Sequence, residues 1–140
     1  MAVSRSFTQL SRRLYLRARG LNKNVELAVR RAAIAADSSV VLGTPVDTGR
    51  ARAGWIATVG SPSGMLPAQG DKEGQTTIAQ ARTVIESWKL GGAPIFLTNN
   101  VVYIQALDEG SSAQAPYGMT AAAIQAAQFQ LRNIRLLGGA

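Results

Sequence analysis

Few side chains in this sequence could do chemistry. Histidine and cysteine are absent, and eight Asp and Glu stand against fifteen Lys and Arg. That removes the commonest general base, the thiolate nucleophile and most transition-metal ligand sets. Carboxylate chemistry remains, and its nearest candidates are Asp47, beside Arg50 and Arg52, and Asp108, beside Glu109. A general acid and base must face each other across the reacting bond. Asp108 and Glu109 adjoin on one expected helix and do not, and spacing alone does not bring Asp47 to Asp108. No glycine loop followed by Lys-Ser/Thr cradles a phosphate, and there is no nucleophile elbow. In Val46-Asp47-Thr48-Gly49-Arg50 an aspartate more commonly accepts backbone N–H groups one or two residues on, as an Asx-turn or helix N-cap. These residues predict no enzyme, no metal and no cofactor.

The elements that hold them are centred on Asn99–Met119. Val102, Tyr103, Ala106 and Leu107 have the spacing of two amphipathic helical turns, which Gly110 ends. Ser111–Tyr117 carries no charge and no clean period. Pro116 fixes one φ and extends Ala115, and Gly118 frees the backbone before a long alanine-rich helix. This is a shaped connector whose main side-chain hydrogen-bonding group is Gln114.

Around it, the pattern predicts an α+β fold in one domain, residues 1–140, with four main helices packed on a small antiparallel sheet. Two helices are N-terminal: 4–19, capped by Ser4 and ended by Gly20, and about 24–42, ended by Gly43. A third starts at Thr76 or Thr77, carries Ile78, Ala81, Val84, Ile85 and Trp88 inward, and stops at Gly91-Gly92. The last runs from about Thr120 to Leu137. Strands are expected at Trp55–Val59 and Pro94–Thr98, with a third strand plausible from the long loop or another subunit. That Gly- and Pro-rich loop, 60–75, is either mobile or committed to a neighbouring copy.

Two blocks resemble a known family. Asn99, Asn100, Tyr103, Leu107, Asp108, Gly110, Ser112, Gln114, Ala115, Pro116, Gly118 and Met119 resemble one signature of the neck proteins of long-tailed bacteriophages. These are also called head–tail joining or tail-completion proteins. Thr44-Pro45-Val46-Asp47-Thr48-Gly49-Arg50-Ala51-Arg52-Ala53-Gly54-Trp55 is similar to the other signature, in the same order. Departures are Asp108, where Glu is usual, and Ala51, where a larger aliphatic is usual. The resemblance implies a structural virion protein, a ring at the head–tail junction, made in the host bacterial cytoplasm. Its partners would be copies of itself, six favoured over twelve, with a connector or stopper on one side and a tail terminator or tail tube on the other. It also implies that Asp47, Arg50, Arg52, Trp55, Tyr103, Asp108, Gln114, Pro116, Tyr117, Gly118 and Met119 shape subunit or ring contacts. On that view Gly118→Val leaves the monomer folded and impairs assembly.

Charge adds a second expectation. Residues 1–31 hold eight bases (Arg5, Arg12, Arg13, Arg17, Arg19, Lys23, Arg30, Arg31) and one acid, Glu26, for +7; residues 32–140 hold seven of each. The basicity is local to a helix or arm at about 1–21. It could contact packaged DNA non-specifically through Arg5, Arg12, Arg13, Arg17 and Arg19, or form a solvated or inter-subunit face. An aromatic-interleaved basic surface or a recognition helix, which would strengthen the DNA reading, is missing. The sequence has neither a secretory leader pattern nor an apolar run of membrane-spanning length, so no membrane partner is expected.

Overall fold

An apolar stripe that stays in phase over more than half of a helix sets the architecture. Leu10, Leu14, Leu21, Val25, Ala28 and Ala32 recur at helical spacing on both sides of Gly20. A computed structural model describes residues 2–133, with side chains described for 9–17 and 19–132. In it Ala2–Gly43 is one helix, α1, of 42 residues. The expected break at Gly20 does not occur. A mid-helix glycine costs only about 1 kcal/mol relative to alanine, and Gly20 is not among the positive-φ glycines. Likewise Gly43 lies within the helix rather than in a left-handed cap. α1 starts at Ala2, so Ser4 lies inside the helix and is not its cap; the last helix's expected end near Leu137 lies outside the described residues.

After α1 come α2 (Arg50–Ala53), β1 (Trp55–Val59), α3 (Gln75–Glu86), β2 (Ile95–Asn99), α4 (Ile104–Asp108) and α5 (Thr120–Asn133). The fold is α+β. β1 and β2 pair antiparallel, Trp55 opposite Asn99 and Val59 opposite Ile95. Among the described residues the sheet has two strands, so the loop supplies no third.

α1 is the spine against which two core clusters form. Val40 and Val41 meet Ala115, Met119 and Ala123, with Trp55, Ile104 and Leu107 packed alongside. One or two turns back, Ala33 and Ile34 pack on Ala57, Ala81 and Ile85, joined by Ile95 and Leu97. Trp88 is buried, its carbonyl accepting Arg30 Nε at 2.7 Å and its Nε1 donating to Ala93 O at 2.8 Å.

Two expected caps are corrected. α3 ends at Glu86 rather than Gly91, and it starts from Gly74 at φ 79°, with Asp71 rather than Thr76 or Thr77 satisfying N–H groups there. Asp71 Oδ1 accepts Gly74 N–H at 3.0 Å, and Oδ2 accepts Thr77 N–H and Oγ1 at 2.9 and 2.8 Å. Nor does Asp47 cap α2. That helix starts from Gly49 at φ 84°, and Thr48 Oγ1 accepts Arg50 N–H at 3.3 Å. The long loop is held at both ends by its own chain. Asn100 Nδ2 donates to Ser63 O at 2.6 Å, and Asp71 N–H to Gly49 O at 3.0 Å. Met65 and Leu66 at its tip are exposed.

Candidate functional site

The two sequence blocks, about fifty residues apart, meet. Gln114 lies in a connector too short and irregular for a ladder, yet its carboxamide imitates one. Oε1 accepts Val46 N–H at 2.9 Å and Nε2 donates to Val46 O at 3.1 Å. Asn99 makes a second tie, Nδ2 donating to Ala51 O at 2.8 Å. Gly54 packs so close to Asn99 that a Cβ there would lie 2.5 Å from its Oδ1. Between the blocks is an open cleft of about 460 Å³, lined by Asp47, Arg50, Tyr103, Leu107, Ser112 and Gln114 among others.

The connector is built by close backbone approach. Gly110 and Gly118 have φ of 94° and 76°. A Cβ on Gly118 would overlap the Asp108 carbonyl oxygen, and one on Gly110 would overlap that of Pro116. Asp108 Oδ1 accepts Met119 N–H and Thr120 N–H, both at 2.9 Å, and so satisfies the start of α5. Partial burial pushes its carboxyl up, but these N–H groups and the Thr120 hydroxyl outweigh that and hold it below the usual carboxylate range. In Asp71 the same balance has the same outcome: burial raises, and the bonds from Thr77, Gly74 and Thr76 lower it further.

The first block is wired equally tightly. Trp55 Nε1 donates to Thr44 Oγ1 at 2.8 Å, which donates to Val40 O at 2.6 Å. Arg52 spans three carbonyls, Thr44 O through Nε at 2.9 Å and Leu42 O and Lys72 O through its two Nη groups at 2.8 Å each. It therefore closes the C-terminal end of α1, where a cation also suits the helix dipole.

The expected contact residues thus divide. Arg52, Trp55, Asp108, Gln114, Gly118 and Met119 make bonds or packing inside the chain, Met119 being 1 % exposed. Gly118 in particular belongs to the fold, because the left-handed turn and the Asp108 carbonyl leave no room for valine. Asp47, Arg50, Tyr103, Pro116 and Tyr117 are on the surface, Tyr117 at 93 % exposure beside the cleft's connector, with Val102 at 96 %. Asp108 is engaged at α5 while Asp47 lines the cleft, so no carboxylate pair is assembled from them. No cluster of three metal-ligating side chains occurs among the described residues. Arg12, Arg13, Arg17 and Arg19 are exposed on α1, and the Arg5 side chain lies outside those described.

Sequence reasoning missed Asp71 and Asp37. Asp71 had a signal, three residues before Gly74 and six before Thr77. Asp37 is 2 % exposed, and its Oδ1 has no hydrogen-bond partner among the described residues. Burial pushes its carboxyl up to about 7. Only its place on the apolar side of α1 could have flagged it.

No protein-family model, curated protein or solved structure matches the chain.

Proposed function

We propose that this chain is a structural assembly protein, working by fitting surfaces together rather than by making or breaking bonds. More particularly, it is a ring subunit of the neck of a long-tailed phage, joining the filled head to the tail. The support is the resemblance of the two blocks together with one observation: Gln114 and Asn99 lock those blocks into a single body. Residues that would otherwise be free to catalyse or bind are spent on that lock. Left over is an exposed rim of Asp47, Arg50, Tyr103, Pro116 and Tyr117, a mixed aromatic and charged surface of the kind that interfaces use. Copies would meet head-to-tail and close with cyclic symmetry, six being favoured because a tail has a sixfold axis, with connector and tail proteins above and below.

The test is electron microscopy of the purified protein and of particles carrying it. Class averages with a closed ring at the head–tail junction are the expected result. A stable monomer that is absent from particles would overturn the reading. Tyr117→Glu with Arg50→Glu should abolish ring formation while leaving circular dichroism and Tm unchanged, since both side chains are exposed.

A second reading, DNA contact by α1, is favoured by the exposure of Arg12, Arg13, Arg17 and Arg19 on a projecting helix. It predicts DNA retention that falls steeply with salt.

A further inference from the structure

The first half of α1 has a face that nothing among the described residues covers. From Gln9 to Gly20 every described residue is exposed, and Leu10 and Leu14 are 52 % and 58 % exposed. With 3.6 residues per turn, Leu10, Leu14 and Leu21 fall within about 40° of one another around the helix. The same arc continues through Ala28 and Ala32, which are buried where α1 faces α5; Ala32 shares a groove with Ala127 and Leu131. The lower half of the stripe is thus a helix-packing seam; Leu21 is half-buried, and at Leu10 and Leu14 the seam goes on with no helix of the described residues against it.

We propose that the upper stripe packs against α1 of a neighbouring copy, the two helices lying side by side and parallel. This rests on the ring reading above. Charge placement selects both the occupant and its direction. Arg12, Arg19 and Lys23 project opposite the stripe, so pairing through it turns them outward. One flank of the stripe carries Arg13 and Arg17, and the other carries the uncharged Ser11, Tyr15 and Asn22. Parallel copies set the basic flank of one against the neutral flank of the next, where a tyrosine ring accepts a guanidinium. Arg19 already lies 5.8 Å from the Tyr15 ring centroid within one chain. Antiparallel copies would instead oppose Arg13 and Arg17 with their own equivalents, a like-charge contact that destabilises. Cyclic symmetry points every copy the same way along the ring axis, so arms that run along that axis are parallel. Duplex DNA alone would satisfy the arginines and leave Leu10 and Leu14 uncovered.

Some 24 residues of helix, roughly 36 Å long, offer less than the ~800 Å² per partner of a standard interface. The arms therefore hold neighbours only together with contacts lower in the chain. Because residues 1–31 carry +7, bundling the arms concentrates like charge, and added salt strengthens it by screening. A phosphate contact has the opposite salt dependence.

The absence of cysteine makes the test direct. Full-length Leu10→Cys and Leu21→Cys proteins, with Lys23→Cys as the opposite-face control, are oxidised and run on non-reducing gels at low and high salt. A disulfide needs Cα atoms within about 7 Å. Covalent dimers at both stripe positions, several-fold above the Lys23 control and increasing with salt, are expected. Dimers at one stripe position alone mean an antiparallel crossing and overturn the proposal. Equal yield at Lys23 means random collision and also overturns it. No dimers from protein that forms rings in micrographs sinks the arm contact and leaves the ring reading standing. Wild-type protein that sediments as a monomer at every concentration sinks both. Dimers that require added duplex DNA at low salt overturn it in favour of a polyanion as the organiser.

Discussion

Asp37 is the residue whose chemistry is least at ease in the fold. Its carboxyl titrates near 3.8 unfolded and near 7 folded. The folded state therefore holds the proton more tightly. Its contribution is fully present below about pH 3.8 and is lost as pH rises to about 7. A shift of that size corresponds to about 4 kcal/mol across the window. Asp37→Asn should accordingly raise Tm at pH 8, with an advantage that shrinks steadily toward pH 4, as thermal melts across pH would read. Asp71 and Asp108, held low, act in the opposite sense: their contribution is present above about pH 3.8 and lost as pH falls through their folded values. Gly118 is the other sensitive residue. Gly118→Val should cost more than the ~1–2 kcal/mol of a left-handed L-residue, because the new side chain also meets the Asp108 carbonyl. Near-wild-type denaturant midpoints would show that the connector has room to move.

Elements were legible where the pattern was periodic. β1 was readable residue for residue, and α3's buried Ala81 and Ile85 followed from spacing alone. What was not legible came from competition between weak local signals. Gly20 looks like punctuation, but the apolar phase on either side of it outweighs one glycine. Gly20→Ala, whose Cβ meets nothing within 4 Å, should stabilise the helix by about 1 kcal/mol and deepen the 222 nm signal; unchanged ellipticity and stability would mean that the helix is interrupted there in solution. Cap assignment failed for a related reason. Thr76, Thr77 and Asp47 all had acceptable cap chemistry, and only the path of the chain places Asp71 over the α3 N–H groups. Removing the corresponding cap of α5, by Asp108→Ala, should cost about 0.5–2 kcal/mol and loosen α5 first, seen as faster amide exchange at Met119 and Thr120.

Across the whole molecule, the sequence singled out residues of the two blocks but could not say toward what they point. Gln114 reads as a free hydrogen-bonding group until Val46 arrives beside it from 68 positions away. No local pattern encodes that meeting. Gln114→Ala should lower stability by about 1 kcal/mol and speed exchange of the Val46 amide without unfolding α1. If Val46 exchange is unchanged, the blocks are held together by Asn99 and packing instead.

α1 is also a lever. Its supported half is anchored in both core clusters, and from Val25 to its first residue a stiff rod extends for roughly 35 Å. A tilt of about 10° at the anchored half would carry the tip sideways by about 6 Å, given that rod length, the width of one side chain's reach. The free rod is longer than the anchored one, so any body that grips the tip senses a tilt of the anchored half around Val40 and Val41 in enlarged form, from the far side of the molecule.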